Sequence, residues 1–134
     1  MRVMRPSVPT VICGPGASGA WRIVRNLWIS NGTPPRPRPG DRHAWHLYVL
    51  RLADAAPIGR DALIERLFAA GIGCSVHYIP LHLQPYWRDR YALRAESFPH
   101  SQRAYERMLS LPIYTRMTDA DVQRVAAAVR RALG

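Results

Sequence analysis

Residues 71–85 read Gly71-Ile72-Gly73-Cys74-Ser75-Val76-His77-Tyr78-Ile79-Pro80-Leu81-His82-Leu83-Gln84-Pro85. Helical periodicity runs into this stretch. Over Arg60–Ala70 the apolar residues Leu63, Ile64, Leu67 and Phe68 fall on one stripe, and Gly71 suits the left-handed position that closes a helix. Ile72–Tyr78 has the β-branched and aromatic content of a strand, and Pro80, which lacks an N–H, ends it. Two histidines, a tyrosine and a glutamine (His77, Tyr78, His82, Gln84) then crowd into one turn. The cluster is either a ligand site or a satisfied polar edge of the core.

Working outward, Trp45–Leu52 is rich in aromatic and β-branched residues and predicts a strand with apolar groups on both faces, hence one covered on both sides. A short helix is expected around Trp87–Tyr91. Another is expected over Pro99–Met108, with Ser97 as cap and Pro99 in the first turn, where a missing N–H is tolerated. Leu109–Ile113 predicts a brief strand. The last helix opens at Thr118 as N-cap with Asp121 at N3, and Val122, Val125, Ala126, Val129 and Leu133 line one face. Arg130 and Arg131 sit at its end, where the helix dipole favours cations. The expected fold is α+β: a small antiparallel or mixed sheet of about three strands flanked by helices.

Residues 1–42 contrast with this. Gly and Pro interrupt them throughout, the run Pro34–Gly40 favours extended polyproline II, and only Ala20–Ile29 leaves room for a helix. They read as a disordered or irregular Arg/Pro/Gly-rich leader, with the folded domain at residues 43–134. Gly14–Gly19 is glycine-rich but lacks the Gly-Lys-Ser/Thr ending of a phosphate loop.

The chain holds 134 residues with a net charge of +10. All 19 basic residues are arginine, so no side chain can form a Schiff base with a carbonyl or with pyridoxal phosphate. The leader carries a net +6, and residues 43–134 a net +4 with arginines interleaved among acids. That interleaving marks ordinary solvated faces and argues against a nucleic-acid role, although non-specific binding by the basic leader stays open. No apolar run reaches membrane-spanning length, so no membrane partner is expected. Cys13 and Cys74 read as reduced thiols of a cytoplasmic protein, with a bond between them left open. His43 and His46 point to opposite faces of a strand, and Pro80 separates His77 from His82; no metal is expected.

Three segments occur in order: His43–Leu52 (HAWHLYVLRL), Arg60–Trp87 (RDALIERLFAAGIGCSVHYIPLHLQPYW) and Phe98–Val125 (FPHSQRAYERMLSLPIYTRMTDADVQRV). Together they resemble the C-terminal small domain of the DegT/DnrJ/EryC1/StrS family, pyridoxal-phosphate-dependent aminotransferases of fold type I that act on nucleotide-linked keto-sugars. One departure is Ser101-Gln102, where the family usually has Ala-Glu. The resemblance implies a truncated family member. The large domain, with the cofactor-binding lysine, the acid facing the pyridine nitrogen and most phosphate contacts, has no counterpart here. It implies that the turn at His77–His82 lies beside the substrate cleft, where His77, Tyr78, His82 and Gln84 would meet sugar or phosphate oxygens of a nucleotide sugar. It further implies a large aminotransferase domain or a homodimer partner as the covering body. The isolated chain is expected to hold no cofactor covalently and to be inactive. A non-catalytic complementing domain of a split enzyme is the alternative.

Overall fold

The computed structural model describes Gly32, Thr33, Gly40 and residues 46–134. The expectations for the leader and for Cys13 otherwise lie outside these residues. Strand β1 (Gly32–Thr33), strand β2 (Tyr48–Leu52) and strand β3 (Met108–Leu111) form one antiparallel sheet in that order. Helix α1 (Arg60–Ala69) follows β2, helices α2 (Pro85–Tyr91) and α3 (Pro99–Arg107) lie between α1 and β3, and helix α4 (Asp119–Leu133) ends the chain. Short 3-10 turns fill Leu81–Leu83 and Ala95–Ser97. The α+β class expected from the sequence is the one observed.

Alternation along the strands sets the core. Tyr48, Leu50 and Leu52 share one face of β2, and register pairs Leu50 with Leu109 and Tyr48 with Leu111. These five join Leu63 and Leu67 of α1 and the Val122–Val125–Ala126–Val129–Leu133 face of α4 in a single buried cluster. The other face of β2 carries half-buried Val49 and exposed Arg51. The strand is therefore one-sided, and the expectation of cover on both faces is corrected. α1 also corrects the sequence stripe. Leu63 and Leu67 are fully buried, but Phe68 is 77% exposed. Arg66 ties the two helices together by donating to the Ala132 carbonyl at 2.9 Å, near the negative end of α4.

The helix ends follow local chemistry. α1 closes in a Schellman motif: Ile72 N–H donates to Leu67 O and Gly71 N–H to Phe68 O, both at 2.9 Å, with Gly71 at φ 71°. Ile72 and Leu67, both buried, supply the apolar contact that accompanies this motif. α4 opens in a capping box: Thr118 Oγ1 accepts from Asp121 N–H at 3.2 Å, and Thr118 N–H donates to the Asp121 carboxylate at 2.9 Å. The Thr118 hydroxyl, donating to the same carboxylate at 2.6 Å, and then the Thr118 N–H hold the Asp121 carboxyl below the usual carboxylate range. α3 has Pro99 in its first turn as expected, but its N-cap is Phe98 with no side-chain cap bond; Ser97 instead ends the preceding 3-10 turn.

Ile72–Tyr78 is not a ladder strand. Only Ser75 pairs, exchanging both backbone bonds with Ser110 of β3 (3.1 and 2.7 Å). Glycines at 71 and 73 weaken extended pairing, and Pro80 cannot donate. The ladder on the other edge of β2 comes from Gly32–Thr33.

The Tyr48 hydroxyl is sealed in the core with no hydrogen-bond partner among the described residues, and burial pushes its pKa upward. An unpaired buried hydroxyl costs stability. Tyr48→Phe is therefore expected to raise unfolding stability by about 1 kcal/mol, read as a higher urea midpoint at unchanged slope. A lower midpoint would show that the hydroxyl has a partner.

Candidate functional site

The Ser75–Ser110 pairing hangs the 72–84 segment on β3. Ser110 lies opposite Val49, so its side chain points away from the helical core. It is buried there under the segment, with its hydroxyl 3.1 Å from His77 Nδ1. Two residues after the paired Ser75, His77 returns to the same face, which explains the reach. The Tyr78 ring meets the His77 ring edge-on, centroids 4.9 Å apart, and is itself 77% exposed. His77 is thus held by the sheet, and Tyr78 is free to touch something else.

Pro80 then turns the chain into the 3-10 turn, and His82 comes to lie at only 4% exposure. Its ring stacks on Phe98, centroids 5.1 Å apart and planes 14° from parallel. His82 Nε2 is 2.9 Å from Gln102 Oε1 of α3, and Gln102 Nε2 donates to Glu106 at 2.6 Å one helical turn on. Gln84 donates to the Ile79 carbonyl at 3.4 Å, a bond internal to the turn. The four sequence candidates therefore share one segment but have different environments. Tyr78 projects outward, His77 and Gln84 are half-buried and partnered, and His82 faces inward.

Sequence reasoning missed the residues that hold the turn: Ser110, Phe98, Gln102 and Glu106. The Gln102–Glu106 spacing was the one available signal. Beside the turn lies an apolar apron. Ile79, Leu81, Tyr86, Trp87, Tyr91 and Phe98 are all exposed, and Trp87 stacks on Tyr91 with centroids 5.8 Å apart. Scattered exposed apolar residues are ordinary; six large ones within residues 79–98 make this the place to test for a covering body. Cys74 is half-buried, its thiol donates to the Ile72 carbonyl at 3.9 Å, and burial pushes its pKa up. Among the described residues no three His, Cys, Asp or Glu gather as a metal site, and no helix is long and apolar enough to cross a membrane.

Comparison with known proteins fits this architecture. The chain is 47% identical over 91 residues to the uncharacterized protein MJ1066 of Methanocaldococcus jannaschii, covering 67% of this chain and 24% of that one. It is 44% identical over 91 residues to the spore coat polysaccharide biosynthesis protein SpsC of Bacillus subtilis, covering 66% and 23%. The chain thus spans about a quarter of the length of the curated relatives it matches. Among solved structures, S. venezuelae DesV in complex with a ketimine intermediate superposes with TM-score 0.72 at 30% identity, covering 84% of this chain and 29% of that one. A structure described as the "putative sugar aminotransferase Spr1654" of Streptococcus pneumoniae, in its PLP form, shares the fold with TM-score 0.74 at 24% identity, covering 83% of this chain and 28% of that one. The DegT/DnrJ/EryC1/StrS aminotransferase family model matches residues 24–130, starting ahead of His43. With the same fold and a family match across most of the sequence, this chain belongs to the DegT/DnrJ/EryC1/StrS aminotransferase family.

Proposed function

We propose that residues 43–134 are the small-domain share of an aminotransferase acting on a nucleotide-linked keto-sugar, and that this share works only beside a lysine-bearing body like that of its longer relatives. The carrying observation is the pairing of a family match over residues 24–130 with a sequence that has no lysine. Pyridoxal phosphate supplies imine chemistry in this family, and holding it on the enzyme as an imine needs an amine side chain. None is present, so the residues here do not fit covalent cofactor binding. What they can do is line a cleft wall: Tyr78 offers an exposed hydroxyl, His77 and Gln84 offer ring and amide groups, and His82 lies behind them.

A complementing role for the chain, supplied in trans to a separate large domain, is the second reading. The apolar apron from Ile79 to Phe98 favours it, because burying such side chains contributes about 25 cal/mol per Å² of apolar surface. Co-expression with the lysine-bearing portion of a matched aminotransferase tests both readings. The expected result is a co-purifying complex that transaminates a nucleotide-linked keto-sugar. The chain alone, treated with pyridoxal phosphate and borohydride, is expected to give no covalent pyridoxyl adduct on a side chain, trapping being confined to the α-amino group. A pyridoxyl adduct mapped to a side chain of the chain alone overturns the proposal.

A further inference from the structure

The bonds around His82 determine more than its position. A carboxylate only accepts hydrogen bonds, so the end of the Gln102 side chain that meets Glu106 at 2.6 Å must be its NH2 group. The carbonyl end then faces His82 Nε2 at 2.9 Å. That oxygen also only accepts, so the proton of the neutral ring must sit on Nε2. Nδ1 keeps its lone pair. It has no partner among the described residues, and although His82 as a whole is only 4% exposed, Nδ1 is not among the sealed, unpartnered side-chain polar atoms, of which the described residues show one, the Tyr48 hydroxyl.

We propose that Glu106 and Gln102 are positioning residues that hold His82 as its Nε2–H tautomer, leaving Nδ1 as an acceptor for a ligand hydroxyl or N–H at the 77–84 turn. The identity of the ligand rests on the nucleotide-sugar reading; the tautomer does not. Under this assignment His82 accepts from a hydroxyl and gives nothing to a phosphate oxygen. The Phe98 ring, stacked 5.1 Å away, keeps the imidazole plane from rotating out of register with Gln102.

The tautomer is read from two-bond ¹H–¹⁵N correlation spectra of the ¹⁵N-labelled full chain, at a pH where the imidazoles are neutral. The His82 signals are assigned by their loss in His82→Asn. The wild type is expected to show a protonated Nε2 and an unprotonated Nδ1. Glu106→Gln removes the acceptor-only anchor, lets the Gln102 amide reverse, and is expected to shift both nitrogens toward an averaged position. Gln102→Glu, which can only accept toward the ring, is expected to keep Nε2 protonated. Glu106 and α3 lie at the surface, and circular dichroism checks that both variants fold. A protonated Nδ1 in the neutral wild-type ring, or a Glu106→Gln spectrum identical to wild type, overturns the assignment. Failure of the aminotransferase complementation with these spectra intact would instead overturn only the ligand.

Discussion

Leu67→Ala is expected to remove about 3 kcal/mol of unfolding stability, while Phe68→Ala, one residue on, changes it by no more than about 0.5 kcal/mol. Leu67 is fully buried, between the sheet and α4, and its loss leaves a cavity that rigid neighbours on both sides cannot close. Its backbone carbonyl also accepts from Ile72 in the Schellman motif, and the two side chains pack as the motif's apolar contact. The truncation therefore loosens both the core and the exit from α1 into the 72–84 segment. A domain of this size has a total stability of roughly 5–13 kcal/mol, so the loss is a large share of it. Phe68 is 77% exposed and has little transfer energy to lose. Urea melts of both variants at equal slope measure the difference. Equal midpoints for the two would mean that the helix is rotated about its axis from the orientation described.

The same pair shows how far the sequence reaches. Leu63, Ile64, Leu67 and Phe68 form one stripe by periodicity, yet the core takes Leu63 and Leu67 fully, Ile64 in part and leaves Phe68 out, because α4 and the sheet meet α1 from the Leu63–Leu67 side. Periodicity gives the stripe's direction within some tens of degrees; only the packed neighbours decide its edges. Helix ends were more legible. Gly71 and the Thr118–Asp121 box act through bonds within a few residues of themselves, so local chemistry was enough. Ile72–Tyr78 shows the opposite case. Its composition suits a strand, but a ladder needs a partner along its length, and only Ser75 finds one in Ser110, thirty-five positions away. The candidate cluster was legible as a cluster, since His77, Tyr78, His82 and Gln84 are adjacent in sequence. Their different environments were not legible, because Ser110, Phe98 and Gln102 reach them from distant parts of the chain. Gln102 stood out only as a departure from the family's usual Glu; its contact with His82 is what gives the departure a consequence.

The second large effect is expected at the corner between α3 and β3. Arg107 is the last residue of α3 and immediately precedes Met108, the first residue of β3. Its Nε donates to the Leu52 carbonyl at 3.0 Å, and its terminal nitrogens donate to the Ala53 carbonyl and to the Asp54 carboxylate. One guanidinium thus satisfies backbone acceptors where β2 ends and fixes where β3 must begin. The exposed carboxylate adds little by itself, because solvent screens it. The energy lies in the two backbone carbonyls, and Arg107→Ala is expected to cost about 2 kcal/mol, again by urea midpoint. Arg107→Lys is not expected to rescue it, since an ammonium on a flexible stem cannot reproduce a fork aimed at three acceptors. The consequence should extend beyond stability. β3 carries Ser110, which pairs with Ser75 and holds His77, so a loosened corner transmits to the turn through a chain of named bonds. Amide exchange at Ser75 and Ser110 should therefore rise in Arg107→Ala more than at Val125 or Val129 in the core of α4. Uniform acceleration across all four amides would assign Arg107 to global stability alone. A selective rise would place the arginine in the mechanical support of the candidate site, although its side chain reaches the end of β2 and not the turn itself.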